Sequence, residues 1–413
     1  MMKWLLYMAL FSEVMLMLWY DRRVYGNYFS PLTILSVPLL IILGLALALA
    51  ETAGFRPVSY EVIMLYIFGF PVFWMGSLFW SVVVPQKKLA AMAEAFKTPL
   101  PASEIPFKQI VLVLSWFVIV AMGFSFGRTF MKYGSIGAIG SDQFAYDYSG
   151  SGVFGHILVL GIILVIYLIG IVRKGDYLLL LTTTILIVLI LLQQVKTWLY
   201  IPLIGGFLLR YYNIRKTKIN PGKSVLLGIA VVVLFFLSYY FAVGIQEGDF
   251  VRKNYNIFRH FLGYVFAGVL GFGEHMHQSL PVGDIPQLLV MPFINIYRLV
   301  TGQEITGVVS SYHVLIDVKN VVDVNVKTFF GTVYIYGGTV WGLIYIFFLG
   351  MLLYLNWVMA AVSRNYWFIV LYALVASPLF LGWFDFYYNQ LTMVELPVMV
   401  VIILFLTQFK PSR

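Results

Sequence analysis

The sequence contains no cysteine, which excludes disulfides, thiolate-bound zinc, iron–sulfur clusters and thiol catalysis. Charge is also scarce: 11% of the 413 residues are Asp, Glu, Lys or Arg, where an ordinary soluble domain carries roughly 25%. A soluble globular enzyme is therefore excluded. The missing charge has gone from long stretches: residues 31–50, 109–127, 177–195, 225–246 and 365–384 hold no Asp, Glu, Lys or Arg. Each approaches or exceeds the run of about 20 apolar residues that a helix needs to cross the hydrocarbon core. With 61% hydrophobic residues and a mean hydropathy of +0.91, the chain reads as an all-α polytopic membrane protein.

A window of about 19 residues places spans near 1–20, 31–50, 60–84, 109–127, 153–172, 177–195, 197–212, 225–243, 333–358, 366–383 and 393–409. Asp21-Arg22-Arg23 follows the first run with no small-residue cleavage site, so that run is expected to be a retained helix rather than a signal peptide. The net charge of +9 would suggest nucleic acid in a soluble chain, but in a membrane chain basic residues populate cytoplasmic loops, and no nucleic-acid partner is expected. The short loops, above all the basic 213–224 stretch, put that loop and the C-terminus in the cytoplasm and the N-terminus outside.

Between the eighth and ninth spans lies one external loop, 244–330, in an otherwise single membrane domain covering 1–413. Its apolar segment 254–275 reads as a re-entrant or interfacial helix, because Arg259 and His260 enter it and Glu274, His275 and His277 leave it within about fifteen residues. Counting it as a crossing would raise eleven spans to twelve. Farther on, 286–300 spaces Leu289, Met291, Phe293, Ile294 and Tyr297 as a helix that lies on the membrane, caps a cavity or simply packs.

Nucleotide chemistry finds no support. GxxxxGK[ST] is absent, and the glycine-rich run Gly268-Val269-Leu270-Gly271-Phe272-Gly273 lacks a strand–helix setting, so close helix packing accounts for it better than a dinucleotide. His275 and His277 diverge by about 200° on a helix and have no third ligand spaced nearby, so no metal is expected.

Charge within apolar stretches says more, because an ionisable group there costs about 2.5 kcal/mol or more. Lys196 interrupts 177–210 at the outer surface between two helices, a place that suits either a phosphate contact or a snorkelling interface lysine. The long loop adds Arg252, Lys253, Arg259, Arg298, His313, Lys319 and Lys327 among Tyr255, Tyr264, Tyr297 and Tyr312. Cations with aromatic rings suit a pyrophosphate carrying sugars. His313 is a candidate general base, since imidazole is the side chain whose unperturbed charge change falls near neutral pH; Asp385, near the outer end of the last helix pair, is either a base or a structural partner.

Three segments together carry a resemblance. Gln193-Gln194-Val195-Lys196-Thr197-Trp198, the Tyr/Gly/Phe-rich stretch from Arg259 to Met276, and the run Asn325-Val326-Lys327-Thr328-Phe329-Phe330 through Tyr336-Gly337-Gly338 to Gly342 resemble the oligosaccharide repeat-unit polymerases of the Wzy type, which build O-antigen and capsule. The resemblance implies a fold related to lipid-dependent (GT-C-like) membrane glycosyltransferases, placed in the bacterial inner membrane with a periplasmic active face. The substrate would be an undecaprenyl-pyrophosphate-linked oligosaccharide, with no cofactor, and a chain-length regulator is an admissible partner. It implies that Lys196, Arg259 and Arg298, with Arg252, Tyr264 and Lys327 nearby, hold the pyrophosphate and glycan while His313 or Asp385 takes the acceptor proton. The rival expectations are a flippase of the same lipid-linked sugars, which usually has inverted repeats, and a polysaccharide O-acetyltransferase, for which His156 would be the catalytic histidine.

Overall fold

A computed structural model describes residues 1–27, 29–95, 108–134, 139, 141–150, 152–193, 196–214, 250–306, 312–363 and 366–408. Among these, six helices are long and apolar enough to cross a membrane: Met2–Tyr25, Pro31–Leu49, Tyr60–Val83, Lys108–Tyr133, Gly152–Ile171 and Phe329–Val362. Shorter apolar helices occupy Tyr177–Leu191, Tyr366–Leu381 and Thr392–Ile402. The chain is thus an all-α polytopic membrane protein, apart from one small hairpin, β1 (Val314–Leu315) paired antiparallel with β2 (Asp323–Val324). The expected span 225–243 lies outside the described residues.

The chain forms two compact units. The first comprises Met1–Phe96, Arg259–Arg364 and Val375–Glu395. Its first three helices, α1 (Met2–Tyr25), α2 (Pro31–Leu49) and α3 (Tyr60–Val83), start where the sequence places them, and Ser30 caps α2 by accepting from the Thr33 N–H. The first span is longer than the expected 1–20, because α1 continues through Asp21-Arg22-Arg23 to Tyr25. Asp21 is buried rather than marking a loop. Trp74 Nε1 (3.0 Å), the Ser77 hydroxyl (2.6 Å) and the Tyr354 hydroxyl all donate to its carboxylate, the partners a charge needs away from water.

The expected span 333–358 is corrected more substantially. The Phe329–Ser363 element is two helices, 329–337 and 339–363, joined at Gly338, whose φ of 62° and ψ of −164° are closed to side-chain-bearing residues. A methyl group on Gly342 would stand 3.4 Å from the Val333 carbonyl oxygen and 3.7 Å from the Tyr334 Cα. In a straight helix those residues would be about 12 Å apart along the axis. The chain therefore doubles back, and the membrane-length helix starts after Gly338. The reversal is held from outside by Gly283, whose N–H donates to the Ile335 carbonyl at 2.7 Å and whose Cα lies against Gly338. The 329–337 helix packs Phe330 on Tyr66 and Phe70 of α3, and the 339–363 helix crosses α3 at Gly350 and Gly76 with the two backbones in contact.

The second unit comprises Lys97–Phe258, Asn365–Leu374 and Leu396–Arg413. Its centre is the Gly152–Ile171 helix, with Gly161 on Val118 and Gly170 on Leu209 of neighbouring helices. Tyr148 donates to the Leu189 carbonyl (2.9 Å), and Arg210 closes the end of the central helix by donating to the Val172 carbonyl (2.7 Å).

Candidate active site

Within the first unit the segment 325–328 runs between the Phe250–His277 helix and the turn 382–386. Glycine permits this passage: a methyl on Gly268 would lie 2.4 Å from the Trp383 carbonyl oxygen, and one on Gly271 2.5 Å from that of Val326. The glycine run, expected to serve close helix packing, serves close packing against loop backbone rather than against another helix. The Thr328 N–H donates to the Phe384 carbonyl (3.1 Å) and the Phe329 N–H to that of Gly382 (2.7 Å), so the two loops are sewn together. Thr328 itself has a φ of 65°, and its hydroxyl oxygen accepts from the Gly331 N–H at the start of the 329–337 helix. A side-chain-bearing residue held at positive φ is a place where backbone strain is stored.

Those constraints bring Lys327 and Asp385 together. Asp385 accepts from the Thr332 hydroxyl at 2.6 Å, in the first turn of the 329–337 helix where the helix dipole favours an anion, and from the backbone N–H groups of Phe386 and Lys327. Burial raises its pKa to about 6, against the opposing pull of the Thr332 hydroxyl, the Phe386 N–H and the Lys327 ammonium. Lys327 is almost completely buried; its Nζ reaches the Val324 carbonyl only at 3.4 Å. Burial lowers its pKa to about 8, with Asp385 and then Asp323 opposing the shift. A cation and a carboxylate poised on either side of neutrality are what proton transfer beside a developing negative charge requires.

Two cavities flank the 329–337 helix. A small polar one is lined by Tyr312, Lys327, Thr332, Ile335 and Tyr336. The other is an apolar groove of about 490 Å³ between α3 and the 339–363 helix, with Phe68, Phe272, Tyr334 and Leu343 in its wall and Glu61 as its one acidic lining residue. Beside the polar cavity, His275 donates through Nε2 to the Pro281 carbonyl (3.0 Å), and its ring meets Tyr312 edge-on at 5.1 Å. Because the partner is a carbonyl, Nε2 carries the hydrogen, which leaves Nδ1 as a buried acceptor with no protein partner among the described residues. Burial first, and then Lys327, lower the pKa of this imidazole.

The remaining sequence candidates are dispersed. Arg259 pairs with buried Asp317, which also accepts from the Val321 and Val322 N–H groups at 2.7 and 2.9 Å, so this arginine anchors the β1–β2 hairpin. His313 is exposed and bonds through Nδ1 to Asp323 at 2.7 Å. Tyr264 stacks on Phe384, the neighbour of Asp385, at 5.6 Å and 3°. Arg298 lies in the last turn of the Met291–Val300 helix. Lys196 opens the Lys196–Ile214 helix and Arg252 lies in the first turn of Phe250–His277; both side chains fall outside the described residues. Sequence reasoning missed Thr332, the unpartnered nitrogen of His275, and Arg56, which joins Glu274 and Asn320 to hold the hairpin against the Phe250–His277 helix. Thr332 stood inside the quoted 325–342 run; nothing in the sequence pairs it with Asp385.

The chain belongs to the Family of unknown function (DUF6337), whose profile matches residues 54–413 and so spans every residue of the site. No curated protein and no solved structure matches it.

Proposed function

We propose that this protein is a membrane glycosyltransferase that joins polyprenyl-pyrophosphate-linked oligosaccharide repeat units into a surface polysaccharide at the outer face of a bacterial inner membrane. The observation that carries the reading is the proximity of buried Lys327, which lines the polar pocket, to the part-buried carboxylate of Asp385, beside a helix whose other side lines an apolar groove. A lipid-linked pyrophosphate has an apolar chain and an anionic head; the groove offers a place for the chain, and Lys327 at the water-sized polar pocket beside it offers a cation for the head. The resemblance of residues 325–342 to the repeat-unit polymerases supports the same class and, with it, a kinship to the GT-C-like fold.

In this reading Asp385 accepts the proton of the acceptor hydroxyl as its oxygen bonds to the anomeric carbon of the donor. The bond from that carbon to the pyrophosphate oxygen breaks, and the departing pyrophosphate carries off the electron pair. Lys327 neutralises the charge that grows on it. Tyr264 and Tyr312 offer ring faces to the sugars, and His313 is assigned to the approach of the substrate. No metal or cofactor enters the scheme.

The test is the glycan profile of a strain lacking the gene, complemented with wild type, Lys327→Ala or Asp385→Asn at matched membrane levels. The expected result is single-repeat glycan without the gene or with either variant, and a full ladder with wild type. A full ladder in the deletion strain would overturn the proposal.

A further inference from the structure

We infer that the Met291–Val300 helix is a membrane-surface helix whose outward face is embedded in the outer edge of the bilayer. The helix is apolar on two opposite sides. Met291, Pro292 and Asn295 are buried against the protein, while Phe293 (63% exposed), Tyr297 (64%) and Val300 (81%) point the other way, with Ile296 beside them. A helix that is apolar around most of its circumference needs a second apolar environment besides the protein core.

Three observations identify that environment as lipid. The helix is fixed in orientation: Asn295 donates to the Thr306 carbonyl (2.8 Å) and accepts from the Thr306 N–H (3.2 Å), so the outgoing chain is stapled to its buried side. It is also attached to one end of a membrane-length helix. Leu289, in the turn of helix just before it, touches Gly337, and Gly283 touches Gly338, where the 339–363 helix begins. Close to that attachment Val340 (66%) and Trp341 (60%) are exposed in the first turn of a helix of membrane-spanning length, where lipid is the environment that an apolar exposed side chain meets. Tyr297, Trp341 and the partly exposed Arg298 are the residue types that settle at the headgroup boundary, where the arginine can meet a phospholipid phosphate.

The absence of cysteine makes the test direct. Single variants Phe293→Cys, Tyr297→Cys and Val300→Cys of the full chain, with Val318→Cys on the exposed turn of the hairpin as reference, are spin-labelled in phosphatidylethanolamine–phosphatidylglycerol nanodiscs. Collision with oxygen, which partitions into lipid, is compared with collision with a water-soluble nickel chelate. The oxygen-to-nickel ratio at 293, 297 and 300 is expected to be severalfold that at 318. Nickel access equal to that at 318 would place the face in water and overturn the inference. Low access to both reagents would mean that protein, such as a second copy of the chain, covers the face, and would overturn it as well. Three positions on one face keep the test decisive if one variant fails to fold, and the result does not depend on the enzymatic proposal.

Discussion

Thr332 donates its hydroxyl hydrogen to Asp385 at 2.6 Å across 53 residues of sequence, and this bond sets the carboxylate at the head of the helix that doubles back at Gly338. It favours the ionised carboxylate and restrains the upward shift caused by burial. Thr332→Val removes the bond without much change of shape, so the pKa of Asp385 should rise. A hydrogen bond to a charged group contributes about 1.5 kcal/mol or more, equivalent to about one pH unit. The acid limb of the activity profile should therefore move up by about that amount, while Thr332→Ser leaves it in place.

The wild-type profile should be bell-shaped. Below about pH 6 Asp385 takes up a proton and is lost as a base; above about pH 8 Lys327 loses its proton and with it the charge that faces the pyrophosphate. Activity is maximal between these values. Lys327→Arg should extend the alkaline limb, because a guanidinium stays charged throughout the range. Initial rates from pH 5 to 9 check both limbs.

The helices were legible in the sequence; their reversal was not. A hydropathy window registers 329–363 as one apolar run, and nothing in composition distinguishes Gly338, which turns the chain, from Gly350, which lets α3 approach. Asp21 was misplaced for a related reason. A charge that ends an apolar run looks like a boundary, and only the fold brings Trp74, Ser77 and Tyr354 to it. Lys327 and Asp385 were each visible as candidates, but their meeting depends on the loop 325–328 passing beneath Gly268 and Gly271. Arg259 looked like a phosphate ligand because its partner Asp317 lies far along the chain.

Gly338→Ala should damage both stability and activity. A side chain at φ 62° and ψ −164° costs about 1–3 kcal/mol, and relief of that strain would open the reversal that positions Thr332. A lower melting temperature with a loss of turnover larger than that of Gly302→Ala, another positive-φ glycine with open space around it, is the expected outcome.

Asp21→Ala should destabilise the first unit. Trp74, Ser77 and Tyr354 would lose their shared acceptor, and the two buried hydroxyls, of Ser77 and Tyr354, would each cost about 1–3 kcal/mol if left without one. Thermal unfolding in detergent should shift downward by several degrees, while the pH limbs of the surviving activity, set by Asp385 and Lys327, stay where they are.

The central claim is that Lys327 and Asp385 form the reacting centre of a lipid-linked glycosyl transfer. The most direct measurement places purified protein in proteoliposomes with a polyprenyl-pyrophosphate-linked oligosaccharide and follows both glycan length and released polyprenyl pyrophosphate. Wild type should give a ladder with one equivalent of polyprenyl pyrophosphate per added unit, and Asp385→Asn should give neither while keeping the wild-type melting profile. Full extension by a folded Asp385→Asn protein, or none by wild type, would contradict the account.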